Sequence, residues 1–254
     1  MATNDVALQL RGVTKSFGGL RAVNALDLEI RPGEVRGLIG PNGAGKTTVI
    51  NLISGLNKPT AGRVLFKGQD ITGHTPHAIS QMGIRRTFQH NAAFKDFTVL
   101  QNMIVAFHFN REANLWILWE RSPIEAKAMK LLGFLGLEAM AYQVAKNLSH
   151  GHLRILGLAM ALALDAEILL LDEPFSGMNK KEVESMSNAI STIVKGSERL
   201  SVLLIEHNVS AVMDLCKVVT VLDFGSKIAE GPPEEIKHDS AVIKAYLGGG
   251  EHAA

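Results

Sequence analysis

The chain has 254 residues, and its 26 basic and 25 acidic side chains leave a net charge of +1. At roughly 150 residues per domain, this length allows one to two domains with a sizeable core, which excludes a disulfide-stapled miniprotein. Charge this balanced, with no long run of one sign, argues against a nucleic-acid groove or a polybasic membrane patch, so binding is expected at a shaped site.

The chain opens with β-structure at residues 7–10, 25–30 and 34–39, the last two separated by a turn at Pro32 and Gly33. A helical pattern then runs from Gly45 to Ser54, and Gly55 stands where a helix C-terminus favours positive φ. Strands are predicted at 63–67 and 83–88, after which the chain turns mostly helical from 98 to about 164. Within that block, Ser122, Pro123 and Glu125 supply the N-cap, N1 proline and N3 acid of a capping box, opening a helix towards Leu137; a further helix is expected near Ser149. Strands at 167–171, 201–205, 218–222 and 227–229 then alternate with helices at 179–195 and up to 216. Such alternation predicts a largely parallel sheet covered on both faces.

The apolar runs at 156–164 and, interrupted, 103–109 fall short of the roughly 18 to 20 residues that span a bilayer. The opening Met-Ala-Thr-Asn-Asp has neither the basic nor the apolar region of a secretory signal, so the chain is expected in the cytosol or on its membrane face. Cys216, the single cysteine, lies between Leu215 and Val218 and reads as a buried structural thiol.

The sharpest motif is Gly40, Pro41, Asn42, Gly43, Ala44, Gly45, Lys46, Thr47 and Thr48, which matches G-x-x-x-x-G-K-[ST] between a predicted strand and a predicted helix. Its glycines let successive N–H groups curl around phosphates, and the helix N-terminus adds its dipole. Lys46 is expected to reach the β/γ-phosphates and the Thr47 hydroxyl to ligate Mg²⁺. No G-x-G-x-x-G occurs at this turn, which disfavours a dinucleotide fold. A second signal is the apolar run 168–171 ending in Asp172 and Glu173. Neighbouring strand residues point oppositely, so Asp172 suits Mg²⁺ and Glu173 suits orienting or deprotonating an attacking water.

With these motifs in place, the chain resembles, over nearly its whole length, the ATP-binding subunit of an ABC transporter. That resemblance implies an α/β fold of the P-loop NTPase type: a mostly parallel core sheet, an N-terminal antiparallel β part and a helical subdomain. It divides this single domain into 1–90 (β part and phosphate-loop core), 91–165 (helical subdomain), 166–247 (completion of the core) and 248–254 (flexible tail). Asn147, Leu148, Ser149, His150, Gly151 and His152 occupy the place of the family's Leu-Ser-Gly-Gly-Gln signature, which serves the ATP held by the opposite subunit; Ser149 and Gly151 are kept, and His150 and His152 depart. Taken alone, Ser149 is equally readable as an N-cap.

Other positions follow by resemblance. Gln89, in Arg86-Thr87-Phe88-Gln89, corresponds to the residue approaching Mg²⁺ and the water, and His207 to the histidine that contacts the γ-phosphate. Phe17 corresponds to the aromatic that stacks on adenine, with a core phenylalanine as the competing reading. Asn179, in Ser176-Gly177-Met178-Asn179, corresponds to the dimer seam and also suits capping the helix it opens, with Glu182 at N3. Those residues, the stretch Ile228-Ala229-Glu230-Gly231 and the ending Ala245-Tyr246-Leu247-Gly248 are similar to importers of branched-chain amino acids.

What the resemblance implies is an ATPase, with ATP and Mg²⁺, driving import of branched-chain or other hydrophobic amino acids or related small amides. It would sit peripherally on the cytoplasmic face of the inner membrane, beside two polytopic permease subunits and a second ATP-binding subunit, a heterodimer being favoured over a homodimer. An external solute-binding protein would act only indirectly. Two aromatic groups, Phe88/Phe94/Phe97 and Trp116/Trp119, are candidate permease contacts or core. A soluble ABC-type ATPase acting on ribosomes or DNA is the alternative, and a small-molecule P-loop kinase a further one.

Overall fold

The computed structural model describes residues 6–87, 93–109, 121–197 and 199–247. Two sheets form its frame. In the first, β1 (Leu8–Phe17), β2 (Leu20–Ile30), β4 (Ala61–Phe66) and β5 (Gln69–Asp70) run antiparallel in the order β2-β1-β4-β5. The second has the order β10-β9-β3-β8-β7-β6 and comprises β3 (Val35–Ile39), β6 (Ile84–Thr87), β7 (Ile168–Asp172), β8 (Ser201–Ile205), β9 (Val218–Asp223) and β10 (Ser226–Gly231). Every neighbouring pair in it is parallel except β10 with β9. The mostly parallel core sheet and antiparallel β part are therefore both present.

The central strands β3, β7 and β8 are buried at every residue, as continuous apolar runs require when both faces of a sheet are covered. Alternation assigns the two faces. Leu38, Ile168, Leu170, Leu203 and Ile205 pack with Ile50 and Ile53 of α1 (Lys46–Ile53) and with the antiparallel sheet. Ile39, Leu169, Leu171 and Leu204 pack on the opposite face with residues of α3 (Val99–Phe109), α4 (Arg121–Phe134), α5 (His150–Leu162), α6 (Lys180–Lys195) and α7 (Val209–Leu215). α3, α4 and α5 form the expected helical block, with short 3₁₀ turns at Glu138–Met140 and Ala145–Asn147 between α4 and α5.

Several elements differ from the sequence expectation. β1 continues to Phe17 because Gly12, at φ 57, lets the strand pass through register shifts between Leu10 and Val13. Three short helices were not anticipated: α2 (Pro76–Gln81), α8 (Pro233–His238) and α9 (Ser240–Leu247). Two of them open with proline, which tolerates the first helical turn where its missing N–H would be unpaired. α9 carries Tyr246 and ends at Leu247, immediately before the stretch 248–254 expected as a tail. Ser122, expected before the helix as its cap, lies inside α4 instead. Residues 248–254 lie outside the described residues.

At the end of the parallel sheet where β3 begins, Arg36 is almost fully buried. Its guanidinium meets Glu34 Oε1 at 3.0 Å, Glu230 Oε2 at 3.1 Å and Thr220 Oγ1 at 3.2 Å. Carboxylates on two sides satisfy a charge that burial would otherwise make costly. Cys216 is free and buried, and burial pushes its thiol up to about 12. Gly37 lies against it: an added Cβ would stand 2.5 Å from Val212 Cγ1 and 3.2 Å from Cys216 Sγ. Gly37→Ala is therefore expected to cost about 1–3 kcal/mol of stability through overpacking, read as a lower urea midpoint at unchanged slope.

Candidate nucleotide site

Register brings the chemistry to one edge of the parallel sheet. Leu38 of β3 and Asp172 of β7 both lie beside Ile205 of β8, so the loop after β3, the turn after β7 and the residues ending β8 emerge together.

The loop of residues 40–45 requires glycine at three places. Gly40, Gly43 and Gly45 have φ of 153, 82 and 100. A Cβ would lie 2.1 Å from the Leu222 carbonyl oxygen at Gly40, and 2.3 Å from that of Ala22 at Gly45. The loop is thus seated between β9 and β2 with no room for side chains at those points. No side chain caps α1 at Gly45, which leaves its first amides facing whatever anion the loop receives. Thr47 is exposed in that first turn. Lys46 is buried, and its Nζ donates to the carbonyls of Gly40 at 2.6 Å and Pro41 at 2.9 Å. Burial lowers the pKa of its ammonium, opposed by the charges of Glu173 and Asp172.

Asp172 is 4% exposed. Arg86 Nη2 donates to its Oδ2 at 2.7 Å, and Arg86 Nη1 to Asn51 Oδ1 on α1, also at 2.7 Å. The other carboxylate oxygen, Oδ1, is buried and has no protein donor. An orphaned anionic oxygen beside the loop suits Mg²⁺, which takes one or two carboxylates, phosphate oxygens and water in preference to an all-protein cage.

Glu173 has φ 49, an uncommon conformation for a non-glycine residue, and is half-buried. It is fixed there from several sides. Its N–H donates to the Ile205 carbonyl at 2.9 Å, and Arg154 Nη1 of α5 donates to the carbonyls of Glu173 at 2.6 Å and Pro174 at 2.9 Å. Glu206 is fully buried and ties the same turn to β8. Its Oε1 accepts the Phe175 N–H at 2.6 Å, and its Oε2 those of His207 and Asn208 at 3.1 and 3.4 Å. Burial raises its pKa, with the Phe175 and Asn208 amides opposing. His207 is exposed, its Nδ1 standing 3.8 Å from both Glu173 Oε1 and Glu206 Oε2, beyond hydrogen-bond reach of either.

Ser149 is the N-cap of α5, with its Oγ accepting the His152 N–H at 3.2 Å. It also donates to Glu182 of α6, so capping is only part of what its hydroxyl does. Asn179 opens α6 with a complete capping box shared with Glu182. Phe17 sits at the tip of the β1–β2 hairpin, 47% exposed, with Lys15 Nζ 4.9 Å over its ring. That exposure excludes the core reading of Phe17. Phe94 and Phe97 stack at 5.4 Å and are likewise exposed. Gln89, Phe88, Trp116 and Trp119 lie outside the described residues. The anchoring roles of Arg86, Arg154 and Glu206 were not anticipated. Only Arg86 had a signal, a cation near the end of a short strand, three residues before the motif residue Gln89.

Comparison with known proteins decides the family. The ABC transporter profile matches residues 23–176, and that of the branched-chain amino acid ATP-binding cassette transporter matches residues 226–252. The chain belongs to the ABC transporter family. It is 39% identical over 249 residues to the high-affinity branched-chain amino acid transport ATP-binding protein LivG of Escherichia coli, covering 95% of this chain and 97% of that one. Its identity to the corresponding protein BraF of Pseudomonas aeruginosa is 37%, with the same coverage. A crystal structure of an ABC-transporter ATP-binding cassette in its ADP conformation superposes with a TM-score of 0.84 at 30% identity, covering 96% of this chain and 99% of that one. As an ABC ATP-binding subunit, the chain binds nucleotide and couples ATP hydrolysis to transport.

Within this ABC cassette the Arg86–Asp172 pair is the buried ion pair nearest the loop. Arg86→Met leaves the Asp172 charge without its cation and is expected to destabilise by about 3 kcal/mol, measured as a fall in the urea midpoint.

Proposed function

We propose that the chain is the ATPase of an importer for branched-chain or other hydrophobic amino acids or related small amides. The observation that carries its chemistry is the convergence of a glycine-required loop, buried Lys46, the orphaned Asp172 Oδ1, and Glu173 beside His207 at one sheet edge. The cargo class rests on the 39% and 37% identity to proteins named for branched-chain amino acid transport.

The amides of residues 40–48 would cradle the phosphates, with Lys46 exchanging its bonds to the Gly40 and Pro41 carbonyls for phosphate oxygens. Thr47 and Asp172 Oδ1 would hold Mg²⁺, joined by Gln89. The metal when bound neutralises phosphate charge as the γ-phosphoryl group leaves. Glu173, held by Arg154 and the Ile205 carbonyl, would accept a proton from the attacking water. His207 would donate to the γ-phosphate, and the exposed ring of Phe17 would stack on adenine.

By the resemblance of residues 147–152 to the family's signature, Ser149 and Gly151 would serve the ATP of a paired subunit; within the chain they hydrogen-bond to Glu182 on α6. We assign that pairing to a second ATP-binding subunit, with a heterodimer favoured. Among the described residues no helix is long and apolar enough to cross a membrane, so two permease subunits would supply the channel and hold the chain at the cytoplasmic face of the membrane. A cavity of about 500 Å³, lined by His77, Phe94, Leu153, Met160 and Leu164, lies between α2 and α5 and suits a permease segment. Specificity for cargo would reside in the permease and in an external binding protein.

Glu173→Gln is expected to keep ATP binding while lowering turnover about 10²- to 10⁴-fold, measured by phosphate release beside nucleotide-binding titration; unchanged turnover refutes the role. Lys46→Ala is expected to lose ATP binding in the same titration. Mass spectrometry of the proteins recovered with the tagged chain from solubilised membranes should find two polytopic permeases and a second ATP-binding subunit. Recovery with ribosomes or DNA instead would refute the transporter reading.

A further inference from the structure

The first turn of α5 is already occupied by an anion from the same chain. Ser149 Oγ donates to Glu182 Oε1 at 3.2 Å, and the Gly151 N–H reaches that oxygen at 3.3 Å. The other oxygen, Oε2, accepts the Asn179 N–H at 3.1 Å, while Asn179 Oδ1 accepts the Glu182 N–H at 3.1 Å. One carboxylate therefore spans the N-termini of two helices. Glycine at 151 is what admits it, since a Cβ there would lie 2.8 Å from Oε1 and 2.9 Å from both Cδ and Cγ of Glu182.

This turn favours negative charge. The Asn179 N–H above all, with the Gly151 N–H, Ser149 and His152, holds the Glu182 carboxyl below its ordinary range. The donors cannot serve two anions at once, because a serine hydroxyl and a backbone N–H each carry a single proton. A phosphate arriving at Ser149 and Gly151 would also face the carboxylate at close range, and like charges on one site repel.

We propose that Glu182 is an internal competitor for the phosphate-receiving end of α5, which must leave Ser149 and Gly151 before the γ-phosphate of a paired subunit's ATP can be clasped there. The inference rests on the reading above that Ser149 and Gly151 serve the paired subunit's nucleotide. Glu182 then sets the ATP concentration at which two subunits close. Its departure also strains the capping box of α6, so the end of α5 and the segment 176–179 change together.

The test is MgATP-dependent pairing in a Glu173→Gln background, followed by sedimentation velocity on the full chain, alone and with the second ATP-binding subunit recovered beside it. Adding Glu182→Gln keeps the side-chain length and an acceptor for the Asn179 N–H but removes the charge. The ATP concentration for half-maximal pairing is expected to fall about 5- to 20-fold, the scale of a typical coupling between sites, and to fall more at low salt than at high. A value unchanged or raised overturns the proposal. Ser149→Ala separates the two layers: if it weakens pairing while Glu182→Gln fails to strengthen it, the competitor role alone is wrong. Should Ser149→Ala leave pairing untouched, or the parent not pair with ATP at all, the reading of α5 falls and the competitor with it. Thermal unfolding of the Glu182→Gln chain should show a folded protein, and a collapsed melting profile would overturn the view that the charge is dispensable for folding.

Discussion

The parallel register of β3, β8 and β7 is the constraint on which the rest of the site depends. With Leu38 and Asp172 both beside Ile205, the three strands deliver their last residues to one level. A slip of one residue in any of them would turn Asp172 or the loop glycines to the wrong face and carry the apolar set with them. Complete burial on both faces resists such a slip, so the same Leu and Ile side chains that form the core also fix the relative heights of Lys46, Asp172, Glu173 and His207.

Charge at this edge is then managed in three ways. Asp172 is half satisfied by Arg86 and keeps one oxygen without a protein donor. Glu206 has no cation within hydrogen-bond reach among its described contacts and is held by three backbone amides, which locks the turns after β7 and β8 to each other. Lys46 is buried against carbonyls and draws on two carboxylates to offset its desolvation. Fixed dipoles and charges of this kind would need little reorganisation to receive the phosphates of the proposed function. The strained φ of Glu173 belongs to the same design: amide and guanidinium contacts on both sides of the turn over-determine it.

The parts readable from sequence are those whose physics is local. The phosphate loop, the apolar strand ending in Asp172, the N-cap at Ser149 and the Asn179–Glu182 capping box each span fewer than ten residues, and all stand where expected. β1 extends past the expected 7–10 to Phe17 because the strand absorbs Gly12, where the alternation of apolar and polar residues breaks, as a bulge. The contacts that hold the site were out of reach for a different reason. Arg86 to Asp172 spans 86 residues and Gly151 to Glu182 spans 31, and neither residue type nor spacing encodes such meetings until the sheet has formed. The short helices α2, α8 and α9 are held by packing of single residues such as Ile79, Ile236 and Val242, which leaves almost no periodic signal.

The isolation of Cys216 has a practical side. It is the chain's single cysteine, and its thiol, buried behind Gly37 and pushed up to about 12, holds almost no thiolate at neutral pH. The natural sequence is therefore already a silent background for thiol-directed probes. A cysteine placed on the exposed face of α6, at Glu184 or Asn188, or at the β1–β2 hairpin tip would carry a maleimide spin label or fluorophore at one defined position, and distances across an assembled transporter could be read without first removing a native residue.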